Sequence, residues 1–262
     1  MTDQFSLDGT AVVTGASKGI GRAVAERFAA EGANVAICAR TEDEIEAAAT
    51  EISDTHDGDA VGVACDVRDR EGVDAFVETA VERFGGVDAL VNNAGASFVA
   101  GFDDISENGW QSVVDVNLTG TVNCTQAAAD SLKESGADGT ASTVVNVSSL
   151  AGVQGSPYMS HYGAAKAAIQ NLTRSLAAEW AGDGVRVNCV APGYVATPGV
   201  EAQMGVSPGE VDRETVDRTV GTPEEVADIV HFLASDAASF VTGETLPAAG
   251  VPEIEHTPRV GP

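Results

Sequence analysis

Residues 10–32, "TAVVTGASKGIGRAVAERFAAEG", pass from an apolar β-branched run through a glycine-rich turn into a helical pattern that ends at Gly32. In the turn, Thr14 and Gly15 close the strand, and Gly19 and Gly21 complete a Gly-x-x-x-Gly-x-Gly spacing. A strand, a glycine turn and a helix in that order let backbone N–H groups and a helix N-terminus come close to a pyrophosphate, which points to a dinucleotide. The same alternation continues outward. Apolar runs "NVAICA", "AVGVAC", "VDALVNN", "STVVNVS" and "GVRVNCVAPG" read as strands buried on both faces. Helical patterns lie between them, as in "EDEIEAAATEI" and "REGVDAFVETAVERFGG", with longer helical stretches near 109–135 and 158–181. This is the pattern of an α/β fold built on a doubly wound parallel sheet. No repeat or linker divides the chain, so residues 1–262 are expected to form one domain. Thr222 and Pro223 mark the start of a further helix, as a cap and a first helical residue. Residues 197–220 break the pattern with proline, glycine and charge, and are expected to lie above the sheet as a lid.

The chain carries 40 acidic and 14 basic residues, a formal net charge of −26. Such a surface repels nucleic acid and anionic membranes, and neither is expected as a partner. Lysine is almost absent, and the acids are spread along the whole chain, a composition suited to high salt. The N-terminus has no basic leader and no apolar run spans a membrane, so a cytoplasmic location is expected. Cys38, Cys65, Cys124 and Cys189 have no metal-ligand spacing and read as buried free thiols.

Which dinucleotide binds depends on the end of the second strand. Ala39 and Arg40 stand where a carboxylate would hold the ribose 2′-hydroxyl of NAD(H). A guanidinium there, with Lys18 in the turn, suits the 2′-phosphate of NADP(H), while NAD(H) stays open. Asp66, after the third strand, reads equally as an acceptor for the adenine amino group or as a helix cap.

Tyr162 and Lys166 are four residues apart in a chain with three lysines, and on a helix they share a face. Acid–base work by tyrosine near neutrality requires its pKa to fall from about 10, and an ammonium has the sign of charge that does this. Ser148 and Ser149 end the fifth strand, and alternation directs only one hydroxyl toward the tyrosine. His161 beside Tyr162 invites a hydrolase reading, but no Gly-x-Ser-x-Gly elbow is present.

Together, "TGASKGIG", "NNAG" at 92–95, "NLTG" from Asn117, Ser149 thirteen residues before "YGAAK", and "PGYVAT" from Pro192 resemble the short-chain dehydrogenase/reductase family over nearly the whole chain. The resemblance implies a seven-stranded Rossmann sheet in a homotetramer or homodimer. It implies that Asn117, Ser149, Tyr162 and Lys166 are catalytic. Tyr162 would exchange the proton, Ser149 would stabilise the oxyanion, Lys166 would lower the tyrosine pKa, and Asn117 would hold a water. Cofactor contacts are expected from Gly15, Ser17, Lys18, Gly19, Ile20, Gly21, Arg40, Thr41, Asp66, Val67, Asn93, Ala94, Gly95, Pro192, Gly193, Val195 and Thr197, besides Tyr162 and Lys166.

The activity implied is carbonyl/alcohol interconversion, on a 3-oxoacyl thioester or on a secondary alcohol, polyol or sugar. A dinucleotide sensor without turnover is the non-enzyme alternative. Ser97, Phe98, Leu150, Gln154, Met159, Tyr194 and Met204 are candidate pocket residues. They include no cation, which favours a neutral or partly apolar substrate. Near the C-terminus "TGETLPAAG" departs from the Val-Asp-Gly-Gly common in the family. Pro247 cannot donate to a ladder, so the last strand must be an edge or tolerate a gap.

Overall fold

The computed structural model describes residues 4–7, 9–137 and 142–251. Seven parallel strands form one sheet in the order β3-β2-β1-β4-β5-β6-β9. In chain order these are β1 (Thr10–Thr14), β2 (Asn34–Ala39), β3 (Ala60–Ala64), β4 (Ala89–Asn92), β5 (Ser142–Val147), β6 (Val185–Pro192) and β9 (Thr245–Ala248). A short parallel pair, β7 (Tyr194–Val195) with β8 (Val220–Gly221), stands apart from the sheet. Every residue of β1, β5 and β6 is buried, as their largely apolar runs require, and the polar Ser142, Thr143, Asn146, Arg186 and Asn188 are buried with them.

Helices cover both faces. Helices α1 (Gly19–Ala30), α2 (Glu42–Thr55) and α9 (Pro223–Ala234) pack with Phe28, Ile37, Ile45 and Leu233 in one apolar core. On the other face α3 (Arg70–Phe84), α5 (Gly120–Ala137) and α7 (Ser160–Trp180) surround Phe76, Leu90 and Leu132. The shorter helices α4 (Glu107–Val114), α6 (Leu150–Gln154) and α8 (Pro198–Met204) follow the carboxyl ends of β4, β5 and β6. The strand order reverses between β1 and β4, which pair with each other, so the crevice for a ligand opens there.

Three local features bear on the site. The helical stretch predicted near 109–135 is interrupted: a π-turn at Asp115–Thr119 separates α4 from α5. Such turns insert one extra residue and re-aim a side chain. Thr222 caps α9 with Pro223 in its first turn, and the Glu225 carboxylate accepts from the Thr222 N–H at 2.9 Å. Strand β9 is the sheet edge. The Glu244 and Ala248 carbonyls accept from β6 and its extension, so alternation turns the Pro247 nitrogen to the open side and no ladder bond is lost.

Candidate active site

The phosphate turn is locked to the end of β4 by side chains. Thr14 Oγ1 accepts from the Asn93 and Ala94 N–H groups, each at 3.0 Å. Asn93 Nδ2 donates to the Thr14 and Gly15 carbonyls at 2.9 and 3.0 Å. Gly15 has φ +65°, and a Cβ there would lie 2.9 Å from Ala94 Cα. A Cβ at Gly21 would lie 2.5 Å from the Gly15 carbonyl oxygen, so the turn closes only with glycine at both positions. Gly19, at φ +62°, faces Thr197, whose Oγ1 caps α8 by accepting from Val200 N–H. Thr197 therefore sits against the turn, and Val195 is buried just before it.

Ser17 and Ile20 are partly buried in the turn and at the start of α1, and Lys18 is exposed. Arg40 and Thr41 are exposed at the end of β2. Arg22, Arg27, Arg68, Arg70, Arg83, Lys133, Arg213 and Arg218 all pair with carboxylates. Lys18 and Arg40 have no ion pair among the described residues. Both are exposed cations, and Arg40 acts electrostatically on Asp66. Asp66 is neither free nor a helix cap. Arg68 grips its carboxylate at 2.5–3.1 Å through Nε and Nη2, holding it below the usual carboxylate range, and Asp69 takes the cap position of α3. Val67 is buried against Gly120 of α5, where a Cβ would lie 2.5 Å from Val67 Cγ2.

Tyr162 and Lys166 lie on the first turns of α7, with Lys166 Nζ 5.6 Å from the tyrosine ring centroid. Lys166 is 3% exposed, donates to the Val147 carbonyl at 2.8 Å, and has no carboxylate partner among the described residues. Burial pushes its pKa down to about 8. Ser149 caps α6, accepting from Ala151 N–H at 3.2 Å, and shares a hydrogen bond with Tyr162. Ser148 points the other way: its hydroxyl donates to the Lys166 carbonyl and accepts from Gln170 Nε2, both at 2.9 Å.

Asn117 reaches the site from the π-turn. It is fully buried, and its Nδ2 donates to the Ala96 and Val113 carbonyls at 2.7 and 2.8 Å. Its Oδ1 has no partner among the described residues. A Cβ on Gly95 would meet Asn117 Oδ1 at 2.8 Å and Lys166 Nζ at 3.5 Å, so the two groups converge over Gly95. An unpartnered buried acceptor beside a buried ammonium is a seat for a polar group or a water.

The expectation that Lys166 lowers the Tyr162 pKa is corrected. Burial raises the phenol above its usual value, and the Ser149 hydrogen bond offsets this only in part. The reason is geometric: the ammonium is aimed at Val147, and the phenol is desolvated.

Of the pocket residues expected from sequence, Leu150 Cδ1 lies 3.4 Å from where a Gly193 Cβ would be, and Phe98 packs on His161 with ring centroids 4.3 Å apart. Pro192 is buried at the end of β6. Ser97, Gln154 and Tyr194 are exposed and Met159 is partly buried. The Met204 side chain lies outside the described residues. Two contributors were missed from sequence. The Val147 carbonyl carries no side-chain signal, and Gln170 is one of many polar residues on a long helix.

A parallel sheet of this order, a glycine turn at its switch point and a Ser–Tyr–Lys group beside it define a nucleotide-binding oxidoreductase. A family profile described as enoyl-(acyl carrier protein) reductase matches residues 15–250. The chain is 40% identical over 252 residues to the short-chain reductase protein NovJ of Streptomyces niveus, covering 94% of each. It is also 40% identical over 240 residues to 3beta-hydroxysteroid dehydrogenase 1 of Eggerthella lenta, covering 90% of each. The solved structure of L-sorbose reductase from Gluconobacter frateurii, complexed with NADPH and L-sorbose, superposes with a TM-score of 0.83 at 30% identity, covering 95% of this chain and 98% of that one. The chain belongs to the short-chain dehydrogenase/reductase family. It is an oxidoreductase acting on CH–OH and C=O groups.

Proposed function

We propose that this protein is an NADP(H)-dependent carbonyl reductase in which Tyr162 is the proton donor. The observation that carries this reading is the buried Lys166 ammonium, without a carboxylate partner among the described residues, beside a phenol that is hydrogen-bonded to Ser149. Tyr162 is the proton donor by position, and because burial raises its phenol above the ordinary value, proton transfer relies on Lys166 and Ser149 to stabilise the phenolate left behind. Bound NADPH supplies the hydride to the carbonyl carbon. Ser149 accepts from Ala151 N–H and is shared with Tyr162, and its hydroxyl turns to the substrate oxygen when a carbonyl is bound. Lys166 and Asn117, converging over Gly95, hold the nicotinamide ribose and a water through which Tyr162 recovers its proton.

The preference for NADP(H) over NAD(H) rests on the unpaired Lys18 and Arg40. Gly15, Gly19, Gly21, Asn93, Ala94 and Thr197 are proposed to hold the pyrophosphate and nicotinamide ends, with Ser17, Ile20, Thr41, Asp66, Val67, Pro192, Gly193 and Val195 as further cofactor contacts. Residues 197–220 are proposed as the lid: Thr197 rests on the turn, and Arg218 at the far end is bonded to Glu225 of α9. The open edge of β9, with Leu246 exposed, supports assembly as a homodimer or homotetramer. The acid excess supports a high-salt cytoplasm as the working environment.

A relative named as a 3-oxoacyl-[acyl-carrier-protein] reductase, 36% identical over 244 residues, keeps a 3-oxoacyl thioester in view as substrate, and the names of the other relatives keep a secondary alcohol or sugar. The test is single-turnover reaction with NADPH and a carbonyl panel in molar salt. Turnover is expected for the wild type and lost in Tyr162→Phe, with NADPH affinity retained. An unaffected rate in that variant refutes the assignment, and cofactor binding with no hydride transfer to any carbonyl makes the protein a dinucleotide sensor.

A further inference from the structure

Among the described residues, Tyr158 is the one non-glycine residue in the left-handed region, at φ +65°. For an aromatic residue this conformation is strained by about 1–3 kcal/mol, and it persists only where the surroundings impose it. The side chain gives no structural return, because the ring is 66% exposed. What fixes the backbone is the Tyr158 carbonyl, which accepts from Ala100 N–H at 2.9 Å and joins the loop after β4 to the loop before α7. Phe98 anchors the same loop, seated on His161 and against Gly109 of α4. The exposed side chains flanking this junction include apolar ones beside the polar Ser97, Asp103, Asp104 and Gln154. Val99 is 66% exposed, Phe102 68% and Val153 50%.

Charge is absent on the same surface except for acids. Residues 96–106, 150–160 and 193–197 contain no lysine or arginine, and their charged members are Asp103 and Asp104. The lid arginines Arg213 and Arg218 are held by Glu225 and Asp228. At low salt a surface of this sign repels anionic substrates, and in molar salt ionic attraction is screened beyond about 3 Å. Apolar contact is not weakened by salt, so the exposed rings act in both conditions.

We propose that Tyr158 is a specificity-determining residue. With Val99 and Phe102, beside the Ala100 link, it forms a cation-free apolar face that takes the apolar body of a free, neutral ketone or secondary alcohol, in preference to a phosphorylated substrate or one borne on an acidic carrier protein. This rests on the oxidoreductase reading of the site, and the experiment separates the two. Wild type, Tyr158→Gly, Tyr158→Asn and Tyr158→Phe are assayed with NADPH against 1-decalone, butane-2,3-dione and a 3-oxoacyl chain on acyl carrier protein. Glycine and asparagine tolerate positive φ, so both variants are expected to melt at or above the wild-type temperature. Both are expected to raise KM for decalone about tenfold while changing KM for the dione less than about twofold, with Tyr158→Phe close to wild type. An unchanged decalone KM in both variants overturns the proposal, as does a higher kcat/KM for the carrier-borne chain than for decalone. Failure of the wild type to reduce any of the three, dione included, overturns the underlying reading instead.

Discussion

Replacing Lys166 by methionine tests the electrostatics of the site through folding alone. In the unfolded chain the ammonium titrates near its ordinary 10.5, and in the folded protein burial brings it down to about 8. At 1.36 kcal/mol per pH unit, that gap corresponds to a penalty of about 3 kcal/mol on the folded state. Below about pH 8 both states hold the proton and the penalty is fully present. Between about 8 and 10.5 the unfolded chain binds more protons, so this lysine's contribution to stability rises with pH, and above 10.5 the penalty is gone. Tyr162, Cys38, Cys124 and Cys189 are raised on folding, so their contributions fall as the solution becomes alkaline. The wild type alone therefore does not isolate the lysine, and the difference between wild type and Lys166→Met does. Urea unfolding in molar salt, followed by tryptophan fluorescence, is expected to show the stability of the wild type gaining about 3 kcal/mol on the variant between about pH 7 and pH 10.5. Parallel curves for the two proteins over that range would mean that the ammonium stays hydrated in the fold, and the buried-cation basis of the site would fail.

Arg40→Asp is expected to weaken NADPH binding at least about tenfold more than NADH binding, since a charge-assisted contact is replaced by repulsion. Fluorescence titration of both cofactors checks this, and an unchanged ratio refutes the assignment of the 2′-phosphate site. Gly95→Ala places a methyl group 2.8 Å from Asn117 Oδ1 and 3.5 Å from Lys166 Nζ. Asn117 is pinned by two hydrogen bonds and cannot retreat. A fall in kcat of about a hundredfold is expected, with a small change in melting temperature. Equal kcat values in the two proteins would separate Asn117 and Lys166 from catalysis.

The sheet was readable because its determinants are local. Near-continuous apolar runs such as "VAICA" in β2 suit a sheet covered on both faces, and the glycine turn after β1 marks where the order reverses. The tyrosine and lysine were readable from their helical spacing. Other features depend on contacts distant in sequence. Alternation parts Ser148 from Ser149 without saying which faces the tyrosine; Lys166 and Gln170, some twenty residues on, capture the hydroxyl of Ser148. Asn117 points into the site because one extra residue is inserted in a π-turn, for which composition has no signature. The direction of the Tyr162 shift follows from burial and from where the ammonium points, neither of which spacing fixes.

Lysine 166 gains meaning beside the other buried cation, Arg186. Arg186 is 7% exposed and donates to the carbonyls of Leu233, Ala234 and Ser235 at 2.6–3.1 Å, closing the C-terminus of α9. A buried charge with three acceptors at a helix end is accounted for by stability, because those carbonyls would otherwise lack partners. Lys166 is buried more deeply yet has one backbone acceptor for three N–H groups, and its neighbours include an asparagine oxygen with no partner among the described residues. Folding alone does not select that arrangement, since an apolar side chain would remove the desolvation penalty and a carboxylate would offset it. The two backbone irregularities, the π-turn at Asp115–Thr119 and the left-handed Tyr158, carry Asn117 and the entry to α7 to the same edge of the sheet. Where local rules are broken together and each break exposes an unsatisfied donor, acceptor or ring, a ligand completes the structure.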